Sequence, residues 1–388
     1  MNMKEKAVSY YPDTVELRRT LHRHPEISGQ EEKTSEFVKS KLAEYGVTFR
    51  ELPRNGILGV IEGKKPGKTV ALRADMDALP IQELSDVEYR SQNNGCAHLC
   101  GHDCHTASLL TAARILNECR DDISGRVVLL FQPSEENSGF GAVDMIECGA
   151  MENVSAVFGV HVLNAIDAGQ VSVQPGARMA ASFRVNLEVS GIGGHGGMPH
   201  KCVDAIVAAC AIVMNLQSIV SREINPQESV AITVGTFHGG NSRFVISDSA
   251  KMELTVKFFN ADLLEQLKES ITRVATETAS AYRAKCRVEI SHYFRPVIND
   301  SKLSALAENS LKKLYGEGVS AVCAPWGASE DFSEYGALAP SLFAFVGGRN
   351  EEKGFVYSPH HPCFNVDEIC LERASALYAQ FALDFLNE

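Results

Sequence analysis

Apolar residues recur at helical spacing over residues 13–45, at Val15, Leu17 and Leu21 and again at Phe37, Val38 and Leu42, with a break at HRHPE. The texture then changes to short apolar runs separated by helical stretches. These are TVALRAD (69–75), the helix TASLLTAARIL (106–116), RVVLLFQ (126–132), a helix around 140–148 and AVFGVHV (156–162). Near-continuous apolar strands separated by helices predict an α/β fold, a mostly parallel sheet with helices on both faces.

Beyond Pro175 the pattern alternates. SFRVNLEVS (182–190) places apolar residues at every second position, as a strand with one solvated face does. A helix over 204–220, the strands SVAITVGTF and KMELTVKFF, a helix over 262–283 and the strand KCRVEISHYF complete a β-α-β-β-α-β order. That order predicts a small α+β domain of ferredoxin-like type inserted at residues 178–293 into a domain made of 1–177 and 294–388. Apolar strand and helix segments resume with SLFAFVG (341–347) and 367–386.

Composition narrows the class. The 388 residues suffice for two domains, and 45% hydrophobic with 22% charged residues is the balance of a protein with a sizeable core. A net charge of −12 argues against nucleic acid or an anionic membrane as partner. The polar N-terminus MNMKEKAVSYYPDTVELRR is unlike a secretory signal, and no stretch is expected to reach the roughly 18 apolar residues that span a bilayer. Eleven cysteines, an odd number scattered along the chain, fit a reducing cytoplasm better than a disulfide framework.

The candidate chemistry lies at strand ends. In an open parallel sheet, ligands bind at the carboxyl ends of the strands. Asp75 ends TVALRAD with Asp77 two residues beyond, Glu135 and Glu136 follow RVVLLFQP, and His161 lies at the end of AVFGVHV. The run CAHLCGHDCH (96–105) immediately precedes the helix near Thr106. Its Cys100-Gly101-His102 can present two ligands on a tight loop, while Cys96, His98, Cys104 and His105 can be ligands, supports or packed side chains. A closed structural zinc site would need a second Cys/His hook, and none is present. The mixed thiolate, imidazole and carboxylate set is instead that of a catalytic metal site.

Two motifs mislead. GIGGHG (191–196) has dinucleotide-binding spacing but lies among strands that read as antiparallel. GKKPGKT (63–69) is one residue short of a phosphate loop and leads into a strand, so it reads as a hairpin turn. No G-x-S-x-G elbow occurs.

RRTLHRHPE (18–26), RADMDALP (73–80), CGHDCHTA (100–107), FQPSEE (131–136), GVHV (159–162), GGHGGMPH (193–200), ASEDFSEYG (328–336) and HHPCFNVDE (360–368) occur in order. With these motifs the chain resembles the M20 metallopeptidase family, in its branch of hippurate, N-acyl-amino-acid and auxin-conjugate hydrolases. The resemblance implies a zinc-peptidase-like catalytic domain and an inserted lid or dimerisation domain. It implies two divalent ions per subunit (Zn, Mn, Co or Ni) held by Cys100, His102, Glu136, His161 and His360, with Cys100 shared between them. Glu135 would be the general base. His195 would stabilise the oxyanion, often from the partner subunit of a homodimer or higher homo-oligomer. His360 matches the ligand position of the family's His-Ser-Pro, with His361 next to it.

The implied reaction is hydrolysis of an N-acyl amino acid to a carboxylic acid and a free amino acid. Dipeptides or N-acetyl-diaminopimelate-type substrates are the alternative, and a metal-binding protein without catalysis is the reading from another class. The chain departs from the family in GGNSRFVISD (239–248), where Phe244 replaces an asparagine and Ser247 a proline, and at Lys257, where an arginine is common. These positions bear on substrate identity.

Overall fold

In the computed structural model, which describes residues 2–136 and 141–388, the chain divides into two compact units. One comprises Met1–Arg178, Ile298–Ala324 and Asp331–Glu388, and the other Met179–Val297 with Pro325–Glu330.

The first unit is built on a seven-stranded sheet in the order 48–51, 57–62, 124–132, 65–75, 156–167, 341–349, 171–172. Its four inner strands, Ser124–Gln132, Lys65–Asp75, Ala156–Asp167 and Ser341–Arg349, run parallel. The edges are antiparallel, which the apolar pattern did not foretell. Consecutive residues of the inner strands are buried whichever way they point: Val70, Ala71, Leu72 and Arg73 are all 0% exposed. A strand covered on both faces loses its alternation, which explains the continuous apolar runs. Val70, Leu72, Ala344 and Val346 share one core with the helices Met3–Arg23, His102–Glu118 and Ile369–Leu386.

The helix expected over 13–45 is two, Met3–Arg23 and Glu32–Glu44, separated at the HPE break. The first starts earlier than the pattern indicated because Asn2 and Glu5 form a reciprocal capping box. The helix expected around 140–148 is Gly141–Glu147, residue 140 lying outside the described residues. A helix not singled out in the sequence, Ser301–Tyr315, is capped by Asp300 and buries Leu303, Leu306, Leu311 and Leu314.

GKKPGKT is not a hairpin turn. Ile57–Glu62 and Lys65–Asp75 do not pair with each other, because Ser124–Gln132 lies between them. Gly63 donates its N–H to Gly125 O, and a Cβ on Gly63 would lie 2.3 Å from Ile123 O. The glycine is there to let two backbones touch.

The second unit is a four-stranded antiparallel sheet, 230–239, 249–258, 181–190, 285–294, carrying the helices Ala205–Ser218 and Leu264–Ala281. This is the ferredoxin-like order. Phe183, Val185, Leu187 and Val189 point into its core, and Arg184 and Asn186 point out. GIGGHG belongs to this antiparallel neighbourhood: Gly194–His195 pairs antiparallel with Val245–Ile246. One expectation is corrected here. Ala205–Glu223 is long and apolar enough to cross a membrane by length and composition. Its apolar residues lie on both sides, with Ala208, Ile212 and Leu216 buried while Val207 and Met214 are exposed.

Candidate metal centre

The loop Leu99–Gly101 enters the helix His102–Glu118 through Gly101, whose φ of +93° suits glycine. A Cβ there would also lie 2.2 Å from Val162 Cγ2. Only glycine therefore lets this loop lie against the strand bearing His161. The result is a short distance between residues 61 apart in sequence, with Cys100 Sγ 3.4 Å from His161 Nε2. His360 joins from the C-terminal side in a left-handed backbone conformation, φ +69°, with its N–H bonded to Leu99 O at 2.7 Å.

Two triplets of ligand-type atoms result, each confined within 4.8 Å. They are Cys100–His102–His161 and Cys100–Glu136–His360, with Cys100 common to both. Glu135 lies with His102 and Glu136 in a third group. His361 stands apart, stacked on Tyr357 with ring centroids 4.1 Å apart, its Nδ1 accepting the Cys363 N–H. Of the adjacent histidines, the structure brings His360 to the cluster. His195 lies in the second unit, exposed, its Nδ1 accepting the Gly197 N–H at 3.0 Å. That bond leaves the ring proton on Nε2. Phe244 is exposed in the same unit, and Lys257 Nζ donates to Ser329 Oγ.

The residues fit divalent ions by their unspent lone pairs. His102 Nδ1 lies 3.1 Å from Asp77 Oδ1, so the ring donates there and turns Nε2 toward the cluster. His161 likewise donates from Nδ1 to Val162 O at 2.7 Å and presents Nε2 to Cys100. His102 Nε2 is buried with no hydrogen-bond partner among the described residues; its nearest carboxylate contacts are 3.7 Å to Asp75 and 3.9 Å to Glu136. Leaving such an atom unmatched costs about 1–3 kcal/mol. A cation at this point removes that cost.

The electrostatics agree. Burial, then the carboxylates of Glu136, Glu135 and Asp75, push the Cys100 thiol well above the usual range. Burial opposes charge on His102, but Asp75 and Asp77 overcome it and raise the imidazole to about 10. Burial and the neighbouring His105 push His161 well below its usual value. Protons compensate a site rich in negative charge, and divalent ions would displace them from Cys100 and His102.

Asp77 is the hinge of this arrangement. Besides His102 it accepts the Ser28 Oγ–H at 2.6 Å and the Glu136 N–H at 2.9 Å, and so ties one residue of each triplet. In the sequence Asp75 and Asp77 stand out only as strand-end carboxylates, and Ser28 carries no signal. Asp103, adjacent to His102, accepts Arg18 Nε at 3.0 Å and shares a 2.8 Å contact with His22 Nδ1. Arg18 reaches Asn365 as well, so one guanidinium joins the motifs RRTLHRHPE, CGHDCHTA and HHPCFNVDE. Cys96 is half-buried and Cys104 buried, both as free thiols. His98 is buried with neither ring nitrogen hydrogen-bonded among the described residues.

Residues 71–384 match the model of peptidase family M20/M25/M40. The chain is 38% identical over 388 residues to IAA-amino acid hydrolase ILR1-like 4 of Arabidopsis thaliana, covering 99% of this chain and 88% of that protein. It is 36% identical to the N-acetyl-L-cysteine deacetylase of Bacillus subtilis (strain 168), over 100% and 92% of the two chains. It is also 36% identical to thermostable carboxypeptidase 2 of Saccharolobus solfataricus, over 96% and 95%. Among solved structures it superposes on Bacillus subtilis YxeP, described as a dinuclear metal-binding peptidase of family M20. That superposition has a TM-score of 0.87 and 31% identity, over 98% and 99% of the chains.

Proposed function

Because the chain belongs to peptidase family M20/M25/M40 and is a metal-dependent hydrolase of amide bonds, we propose that its substrates are N-acyl amino acids of hippurate or N-acetyl type. The products are a carboxylic acid and a free amino acid. The observation that carries the reading is Cys100, common to two triplets of ligand atoms beside a carboxylate, Glu135, that belongs to neither triplet.

In this reading Cys100, His102 and His161 would hold one divalent ion, and Cys100, Glu136 and His360 would hold a second. The donor set suits Zn, Mn, Co or Ni. Such ions would supply an acidified water and a Lewis acid for the amide carbonyl. Glu135 takes the proton of the attacking water and delivers it to the leaving amine. His195, protonated at Nε2 by the bond at its Nδ1, donates to the oxyanion. Asp77 holds His102 and the Glu136 backbone in register throughout.

The domain roles belong to the same proposal: residues 1–177 and 294–388 carry the metals, and 178–293 form the lid and dimerisation domain. Self-association is supported by Val207 and Met214, exposed seven residues apart on one face of the helix Ala205–Ser218. We place the enzyme in the cytoplasm, where eleven free thiols remain reduced.

A second reading, peptides cleaved at a free carboxyl-terminal residue, is favoured by the likeness to a carboxypeptidase. A panel varying acyl group and amino acid independently, assayed with and without chelator, decides. Hydrolysis of hippurate or acetyl-methionine, abolished by chelator, is expected. Turnover surviving complete metal removal would overturn the mechanism, and turnover of peptides alone would favour the second reading.

A further inference from the structure

Asp75, His102 and His105 place ligand atoms within 4.8 Å of one another, all buried. By residue type this trio looks like a third ion site. The hydrogen bonds show otherwise. His105 Nε2 accepts the backbone N–H of Val162 at 2.9 Å. Its lone pair is therefore spent, and the ring proton sits on Nδ1, 2.7 Å from Asp75 Oδ1. The other Asp75 oxygen accepts Arg73 Nη1 at 2.7 Å. His105 therefore has no lone pair left for an ion, and both Asp75 oxygens are already engaged by N–H donors.

The ring meets a particular peptide. Pairing between Lys65–Asp75 and Ala156–Asp167 ends at Arg73↔Gly159. Past that point the Val162 N–H is served by a side chain. The Val162 carbonyl accepts His161 Nδ1, and the Val162 side chain abuts Gly101. One residue thus touches His105, the His161 ring and the loop between Cys100 and His102.

We propose that His105 is a positioning residue: by holding the Val162 peptide it sets the aim of His161 Nε2 and its spacing from Cys100, and with Asp75 it forms a brace in place of a third metal site. The proposal rests on the reading of Cys100, His102 and His161 as ion-binding. His105 acts on the ion only through Val162 and His161.

Metal binding and visible spectra of the cobalt-loaded protein test this without recourse to activity. Stripped wild-type protein is expected to take up two equivalents of Co²⁺ with a thiolate charge-transfer band. His105→Ala should hold one equivalent about 10- to 100-fold more weakly, the usual effect of losing a residue that orients a ligand, and should show an altered band. His105→Asn, which keeps a donor toward Asp75 but does not reach Val162, should do the same. It also serves if the alanine variant fails to fold. His105→Gln, whose carboxamide offers an acceptor and a donor together, should restore affinity to within about threefold of wild type.

Wild-type affinity and spectrum in both the Ala and Asn variants would overturn the proposal. So would a third wild-type equivalent that His105→Ala loses, since His105 would then be a ligand. Wild-type protein without any thiolate band would instead remove the underlying site reading.

Discussion

The surroundings of His102 and of His195 differ in kind. His102 is 1% exposed, starts a helix behind a glycine only glycine can replace, and donates to a buried aspartate that also holds Ser28 and Glu136. His195 is exposed on a two-residue strand in a glycine-rich segment, with one backbone hydrogen bond to its ring. The first is over-determined by its neighbours, as the proposed role of holding an ion in fixed geometry requires. The second is lightly held, as a group free to meet substrate can be. Substitutions in the two regions should therefore fail differently.

The largest effect is expected at the base. Glu135→Gln should lower kcat by about 10³-fold, within the range for general acid–base groups, with two equivalents of metal retained. Near-wild-type turnover would remove Glu135 from that role. His195→Ala should lower kcat by about 10²-fold, as the loss of an oxyanion donor does, with metal content and melting temperature unchanged. Loss of metal in that variant would erase the contrast between the regions.

Asp103→Asn should act on stability before chemistry. It removes the charge facing Arg18 and His22, at a cost of about 3 kcal/mol for a broken buried pair, read by denaturant unfolding. The sign with pH follows from the carboxyl. Burial opposes ionisation, but Arg18 and His22 overcome it and hold Asp103 well below the usual carboxylate range. Its contribution is therefore present above the unfolded value of about 3.9 and lost as pH falls toward the folded one. The variant should show a flatter acid limb, and an unchanged limb would contradict the assignment. The smallest effects are expected for Cys96→Ala and Cys104→Ala, both with wild-type metal stoichiometry. Metal loss equal to that of Cys100→Ala would point back to a cysteine-rich structural knot.

The sequence was most legible where burial is uniform. Inner strands covered on both faces showed as unbroken apolar runs, and their carboxyl ends carried Asp75, Asp77, Glu135, Glu136 and His161 to one locality. Strand order was not legible. GKKPGKT looked like a hairpin turn because nothing local reveals that residues 124–132 enter between the strands on either side of it. The sequence assigns His102 to metal and His105 to packing or support, but it does not reveal what His105 supports. His102 and His105 are both buried histidines beside Asp75, and what tells them apart is a backbone N–H from residue 162, far away in sequence. The apolar helix 205–218 was read as covering a sheet, but its exposed Val207 and Met214 could not be assigned from periodicity when nearly every position is apolar.

The central claim is that Cys100 is the donor common to a two-ion hydrolytic centre. Chelator-stripped protein titrated with Co²⁺, with the thiolate charge-transfer band and hydrolysis of an N-acyl amino acid followed in the same sample, tests it most directly. The account predicts no turnover without ion, a band that grows with the added ion and is absent from Cys100→Ala, and full activity at two equivalents. Turnover before any ion is added, or two bound equivalents with no thiolate band, would contradict it.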